Sequence, residues 1–241
     1  MTDSSGGNAD RRSELSARLR EVRGRISAAC VAAGRRPDEV TLVAITKTYP
    51  AADIRLLSEL GVTDIGENRD QEAAPKAAEC AALGLHITWH FVGQLQTNKC
   101  RSVASYANVI HSVDRLRLVS ALGKRARAAG RDITCLVQVS IDGDPERGGA
   151  YGEQVTLIAD ALASEGGLTL GGVMAVAPLG MTADKAFGRL KETAEKMRSQ
   201  HPRAVMISAG MSGDLEEAIA VGATHVRVGT ALLGGRRAFV R

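Results

Sequence analysis

Val40-Thr-Leu-Val-Ala-Ile-Thr-Lys47 is an unbroken apolar and β-branched run that stops at a lysine. Both alternating sets of residues in it are apolar, so it reads as a strand covered on its two faces, the habit of parallel sheets. Working outward, the same alternation of short apolar run and amphipathic stretch continues to the end of the chain. Strands are expected at 40–46, 62–66, 87–92, 109–113, 133–141, 168–176, 204–208 and 225–228. Helices are expected between them at 54–60, 70–83, 99–106, 115–129, 152–165, 183–200 and 214–221. Eight strand–helix units in order select a closed (β/α)8 barrel over an open doubly wound sheet. The glycine fingerprint of dinucleotide-binding sheets is missing after the first strand, which points the same way.

Upstream of the run, Leu15, Leu19, Val22, Ile26 and Cys30 recur at steps of four and three. That spacing predicts an added N-terminal helix, ended near Gly34 and blocked by Pro37. Residues 1–9 are polar and expected to form a disordered tail, leaving 10–241 as one barrel domain.

Composition narrows the function. Aromatic residues are only 3% of the chain, so the core must be built from Ala, Val, Leu and Ile. A net charge of +4 comes largely from Arg11, Arg12, Arg18, Arg20, Arg23 and Arg25, interleaved with Glu14 and Glu21, and from Arg236, Arg237 and Arg241. The first group is expected to be a solvated helix face, and without a stacking stripe no nucleic-acid partner is expected. No apolar run reaches the length of a membrane span, and the first twelve residues lack a signal core. Cys30, Cys80, Cys100 and Cys135 are scattered, which suits a reducing cytoplasm. No metal site is expected: His86 and His90 share a strand face but stand roughly 13 Å apart. His90 itself reads either as a ligand neighbour or as a satisfied core histidine.

In such a barrel the active groups belong at the C-terminal ends of the strands. Lys47 ends the first strand, in alternation with Val43 and Ile45, so its amine is expected to rise from an apolar interior. Desolvation there would favour the neutral amine needed for imine formation, whereas the alternative is a lysine that reaches out to solvent. After the seventh strand, Gly210-Met-Ser-Gly213 leads into a helix, a place for backbone amides to meet an anion. Ser212 could equally cap that helix. Gly229 and Thr230 follow the eighth strand, the neighbouring position in barrel phosphate sites. Arg227 shares the face of Gly229 and, if buried, requires a partner, with Glu67 or Asp64 as one choice. An amine, an anion cradle and a buried arginine at one barrel mouth together suit pyridoxal 5'-phosphate (PLP).

These segments resemble the pyridoxal phosphate homeostasis family. The resemblance is carried by Ala44-Ile-Thr-Lys-Thr48, Gly66-Glu-Asn68, Trp89-His-Phe-Val-Gly93, Leu95-Gln-Thr-Asn-Lys99, Gly172-Val-Met-Ala175, Gly210-Met-Ser212 and Val226-Arg-Val-Gly-Thr230. It implies a barrel related to the alanine racemase N-terminal domain, with PLP held on Lys47 as a Schiff base. It further implies phosphate contacts from Ser212, Gly229 and Thr230, and Arg227 facing the pyridine nitrogen. Asn68 and Met211 would flank the ring or its phenolic oxygen. Arg147 before Gly148, and Arg69 after Asn68, depart from the family's usual residues.

Two functions of different kind are compatible with these residues. One is a carrier that stores, buffers or delivers PLP to apo-enzymes; the other is a PLP-dependent amino-acid racemase. A permanently charged arginine does not protonate the ring nitrogen, which leaves a weaker electron sink. A racemase also needs an acid–base group on each face of the substrate, and no second domain is evident to provide one. The carrier, as a monomer, is therefore the expectation. A class I aldolase using Lys47 alone is the third reading, and it predicts a colourless protein.

Overall fold

The computed structural model describes residues 4–144 and 146–235. Eight parallel strands close into a barrel in sequence order: β1 (Thr41–Ile45), β2 (Asp64–Glu67), β3 (Thr88–Phe91), β4 (Val109–Val113), β5 (Ile133–Gln138), β6 (Leu168–Met174), β7 (Met206–Ser208) and β8 (His225–Val228). Closure is made by β1 lying against β8, with Val43 opposite Arg227 and Ala44 opposite Val228. The ring of helices is α1 (Ser4–Ala32), α2 (Ala51–Glu59), α3 (Asp70–Ala82), α4 (Cys100–Tyr106), α5 (Leu116–Ala128), α6 (Glu153–Ser164), α7 (Ala183–Gln200) and α8 (Leu215–Ala220). A last short turn of helix, α9 (Thr230–Leu233), follows β8 and was not expected.

The added helix begins at Ser4, inside the segment expected to be a tail; Met1–Asp3 and the C-terminal arginines lie outside the described residues. Its predicted apolar face is buried in full, Leu15, Leu19, Val22, Ile26 and Cys30 all packing with α2, β1 and β8 residues. Arg12, Arg20 and Arg23 are exposed, in keeping with a solvated face, but Arg11 and Arg25 are drawn into contacts across the barrel wall. Arg11 meets Asp53 at 2.7 Å and Leu233 O at 3.1 Å, and Arg25 grips Glu216 at 2.7 and 2.8 Å. They pin α1 across the barrel wall.

Strand alternation sorts the residues into two layers. Ala44, Ile65, Trp89, Val226 and Val228 face outward into the helices. Val43 and Ile45 face inward, since a Cβ placed on Gly66 of β2 would meet Ile45 Cδ1 and lie 3.0 Å from Val43 Cγ1. The interior is not uniformly apolar. Val109, Leu136, Met174 and Met206 fill one part, while Asp64, His90, His111, Ser208, His225 and Arg227 occupy the rest. Among the described residues no helix is long and apolar enough to cross a membrane.

Candidate functional site at the barrel mouth

The lysine turn comes first. β1 ends at Ile45, and residues 46–49 turn sharply, with Thr48 at φ +69°. A β-branched residue pays about 1–2 kcal/mol to sit in the left-handed region, so surrounding contacts must hold it there. They are visible: the Thr48 amide donates to Glu72 Oε2 at 3.0 Å, and Lys76 Nζ donates to Thr46 O at 2.9 Å. Lys76 also pairs with the buried Glu67 at 2.6 Å, and Thr46 Oγ1 donates to the same carboxylate oxygen at 2.6 Å. Burial pushes the Glu67 carboxyl up, against the opposing pull of Lys76. Lys47 itself is exposed, so the burial expected of it from strand alternation is absent. The strand simply stops two residues too early to carry it inside.

The two loops on the other side of the closure are tied to that turn. The Tyr49 hydroxyl shares its one hydrogen between the carbonyls of Gly234 and Gly235, at 2.9 and 3.0 Å, just past α9. Gly229 packs on β1 itself: a Cβ there would lie 3.4 Å from Ile45 Cβ and 3.5 Å from Ile45 O. Ser212 Oγ accepts the Ala231 amide of α9 at 3.3 Å, and Arg25 of α1 donates to Ser212 O at 3.0 Å. Ser212 therefore caps across to α9, and not the helix that follows it. Gly210 sits at φ +87°, where a side chain would also collide with Ala218. The Met211 amide, expected to face an anion, donates instead to Asp214 Oδ1 at 2.5 Å. Met211 and Thr230 are exposed, Ser212 and Gly229 half-buried.

Arg227 is the buried member, 5% exposed. It makes no ion pair with Glu67 or Asp64, the partners considered from sequence; those pair with Lys76 and His90. Its Nη1 donates to Ser208 Oγ at 2.6 Å and its Nη2 to Ala175 O at 2.9 Å. Burial without a carboxylate in contact lowers its pKa from 12.5 to about 10, so it remains a cation at neutral pH. His90 is a hydrogen-bonded interior histidine, 3.0 Å from Asp64 and 2.8 Å from His111. Asn68 follows β2 and is half-buried, with an Oδ1 that has no partner; Ser112 Oγ, within β4, is likewise buried and unsatisfied. Buried polar atoms are rarely left this way, so the mouth is short of polar contacts that a ligand would provide. Among the described residues no three His, Cys, Asp or Glu side chains are grouped to hold a metal ion.

Sequence reasoning missed Ser208, His111, the Glu67–Lys76 pair and the Thr48 strain. The contacts of Ser208 and His111 depend on partners far away in sequence, and the Glu67–Lys76 pair crosses from β2 to α3. The Thr48 strain carries no glycine to announce a positive φ.

Residues 21–237 match the family described as alanine racemase, N-terminal domain. The chain is 44% identical over 248 residues to the pyridoxal phosphate homeostasis protein of Mycobacterium tuberculosis, covering 95% of each. To that of Escherichia coli it is 36% identical over 232 residues, covering 92% of this chain and 97% of the other. Among solved structures, PipY of Synechococcus elongatus with PLP bound superposes with a TM-score of 0.80 at 35% identity, over 91% of this chain and all of that one. An alanine racemase of Clostridium difficile superposes at 0.70 with 14% identity over 91% of this chain and 56% of its own length, a likeness of fold alone.

Proposed function

Since the chain belongs to the pyridoxal phosphate homeostasis proteins, within the alanine racemase N-terminal domain family, we propose that it binds PLP at its barrel mouth and serves intracellular vitamin B6 homeostasis as a cofactor carrier. The observation that carries this reading is the tie between the Lys47 turn and the loops after β7 and β8, made by Tyr49, Gly229 and Ser212. An amine and an anion-binding loop are thereby held on one rim, as a phosphorylated aldehyde requires.

The residues present fit the group. Lys47 offers the amine with which the aldehyde of PLP forms a Schiff base. Ser212, Gly229 and Thr230 offer hydroxyls and backbone amides to the phosphate, and Met211 an apolar wall. Asn68 brings its unpartnered side-chain oxygen to the same rim, and Arg227 presents a cation to the pyridine nitrogen. A guanidinium that stays protonated does not hand its proton to that nitrogen, so the ring remains a weak electron sink. Such a setting favours holding the cofactor over amino-acid turnover. Storage, buffering and transfer to apo-enzymes in the cytoplasm, by a monomer, complete the proposal.

The test is reduction of PLP-loaded protein with borohydride, followed by peptide mass spectrometry. Wild-type protein is expected to be yellow and to carry the reduced cofactor on the Lys47 peptide. Lys47→Ala is expected to lose the fixable adduct while the phosphate contacts keep some reversible binding. An adduct that persists in Lys47→Ala, or forms on another lysine of the wild type, overturns the assignment.

A further inference from the structure

Four side chains connect Arg227 to the opposite end of the barrel. Arg227 Nη1 lies 2.6 Å from Ser208 Oγ, Ser208 Oγ 2.9 Å from His111 Nδ1, His111 Nε2 2.8 Å from His90 Nδ1, and His90 Nε2 3.0 Å from Asp64 Oδ1. Ser208, His111 and His90 are buried at 0–2% exposure. Asp64 is the first residue of β2, at the N-terminal end of the strands, and lines a cleft there with Arg23, Asp38 and Thr41. We propose that Ser208, His111, His90 and Asp64 form a one-way hydrogen-bonded relay that positions the Arg227 guanidinium for the pyridine nitrogen, with Asp64 as its remote anchor. The relay rests on the PLP reading only for its purpose; its existence is a property of the protein alone.

The direction follows from the donor inventory. An ionised carboxylate only accepts, so His90 Nε2 carries a hydrogen. The relay takes His90 as carrying a single hydrogen, so its Nδ1 accepts and His111 Nε2 donates. His111 is wholly enclosed and burial holds its pKa well below 6.5, so it is neutral and its Nδ1 is bare. That nitrogen accepts a hydrogen bond from the Ser208 hydroxyl, which leaves a Ser208 lone pair for Arg227. With Asp64 ionised and His90 carrying one hydrogen, no donor in the relay faces a donor.

The same order has an electrostatic consequence. Each member turns its lone pair toward Arg227 and its hydrogen toward Asp64. Aligned bonds polarise one another, so partial negative charge is presented to a guanidinium that has no carboxylate in contact. The third interior histidine stands apart: His225 bonds Thr224 at 2.8 Å, and burial lowers its pKa to about 4, so it adds no charge. Ser208, His111, His90 and Asp64 are positioning residues, since each acts on the cofactor through Arg227.

Two measurements decide the matter. In cofactor-free protein with 15N-labelled histidine, long-range 1H–15N NMR is expected to show both His90 and His111 protonated on Nε2 and bare on Nδ1. An Nδ1–H tautomer at His111 overturns the relay. In PLP-loaded protein, Asp64→Asn and Ser208→Ala are each expected to shift the absorption maximum of the bound cofactor and raise its Kd about tenfold, the worth of one hydrogen bond to a charged group. Asp38→Asn, in the same cleft but bonded to Arg36, is the control and changes neither. The proposed tautomers with an unchanged spectrum and Kd in both variants overturn the positioning role. A wild type that takes up no PLP refutes the functional reading instead, and leaves the NMR result to judge the relay.

Discussion

Lys76→Met tests how the lysine turn is built. Lys76 Nζ is 2.6 Å from Glu67 Oε1, with the two side chains 12% and 1% exposed. At that separation and an effective dielectric of about 20 the attraction is about 6 kcal/mol, offset in part by the cost of desolvating both groups. Removing one partner strands the other as a buried charge, and the net loss expected is about 3–5 kcal/mol. For a chain of this size that lowers Tm by roughly 6–20 °C at pH 8. The loss must depend on pH. The native Glu67 carboxyl is already raised from 4.5 by burial, and Lys76 is the main influence opposing that rise. Between 4.5 and the raised native value, the native state keeps a proton that the unfolded state has released, so stability falls as pH rises through that window. Lys76→Met raises the native value further and widens the window. The variant is therefore expected to lie close to wild type near pH 5 and to fall away toward pH 8, in urea or thermal unfolding. Adding Glu67→Gln, which removes the stranded charge, should recover most of the loss. Equal destabilisation at both pH values, or a double variant weaker than the single one, would refute this account.

Two further changes probe the same rim. Gly93→Ala places a Cβ against Asn68 O and 2.7 and 2.8 Å from Asn68 C and Cα, all backbone, so the β2 loop must move; a loss of about 1–3 kcal/mol is expected, with PLP affinity reduced in the same variant by equilibrium titration. Thr48→Gly relieves the φ +69° strain and is expected to raise unfolding stability by about 1 kcal/mol. It should also weaken PLP binding, because the turn that holds Lys47 loses its stiffness.

Much of this architecture was legible because the barrel repeats one local pattern. β4 and β8 occur where the apolar runs at 109–113 and 225–228 placed them. β5 and β6 span 133–138 and 168–174 and so stop short of their apolar runs; just beyond them Val139 makes a single bridge to Ala150 and Ala175 bonds Ser208 O. The rim residues were legible from position alone, since glycines and polar groups cluster at strand ends. What those residues bond to was not. His111 and Ser208 are 97 positions apart, and their contact exists only because the barrel closes. Nor does alternation say where a strand stops, which is why Lys47 was expected inside and is found on the rim. Ser212 shows the same limit: local grammar offered it α8, while closure delivered it α9.

The division between an exposed amine and a buried cation bears on the proposed carrier role. A protein that releases its cofactor must tolerate its own empty site. If Lys47 holds the cofactor as proposed, its exposed amine would return to water on release, leaving no desolvated ammonium behind. Arg227 cannot reach water as readily, but two of its five N–H groups are already bonded within the fold, to Ser208 Oγ and Ala175 O. The two charged groups that the cofactor would engage are thus each provided for without it. Had Lys47 been sunk in the interior as alternation suggested, release would expose the protein to the full penalty of an unpaired buried charge, and PLP would be expected to stay. On energetic grounds, an exposed lysine and an arginine already bonded within the fold are compatible with the proposed carrier role, in which the site is filled and emptied.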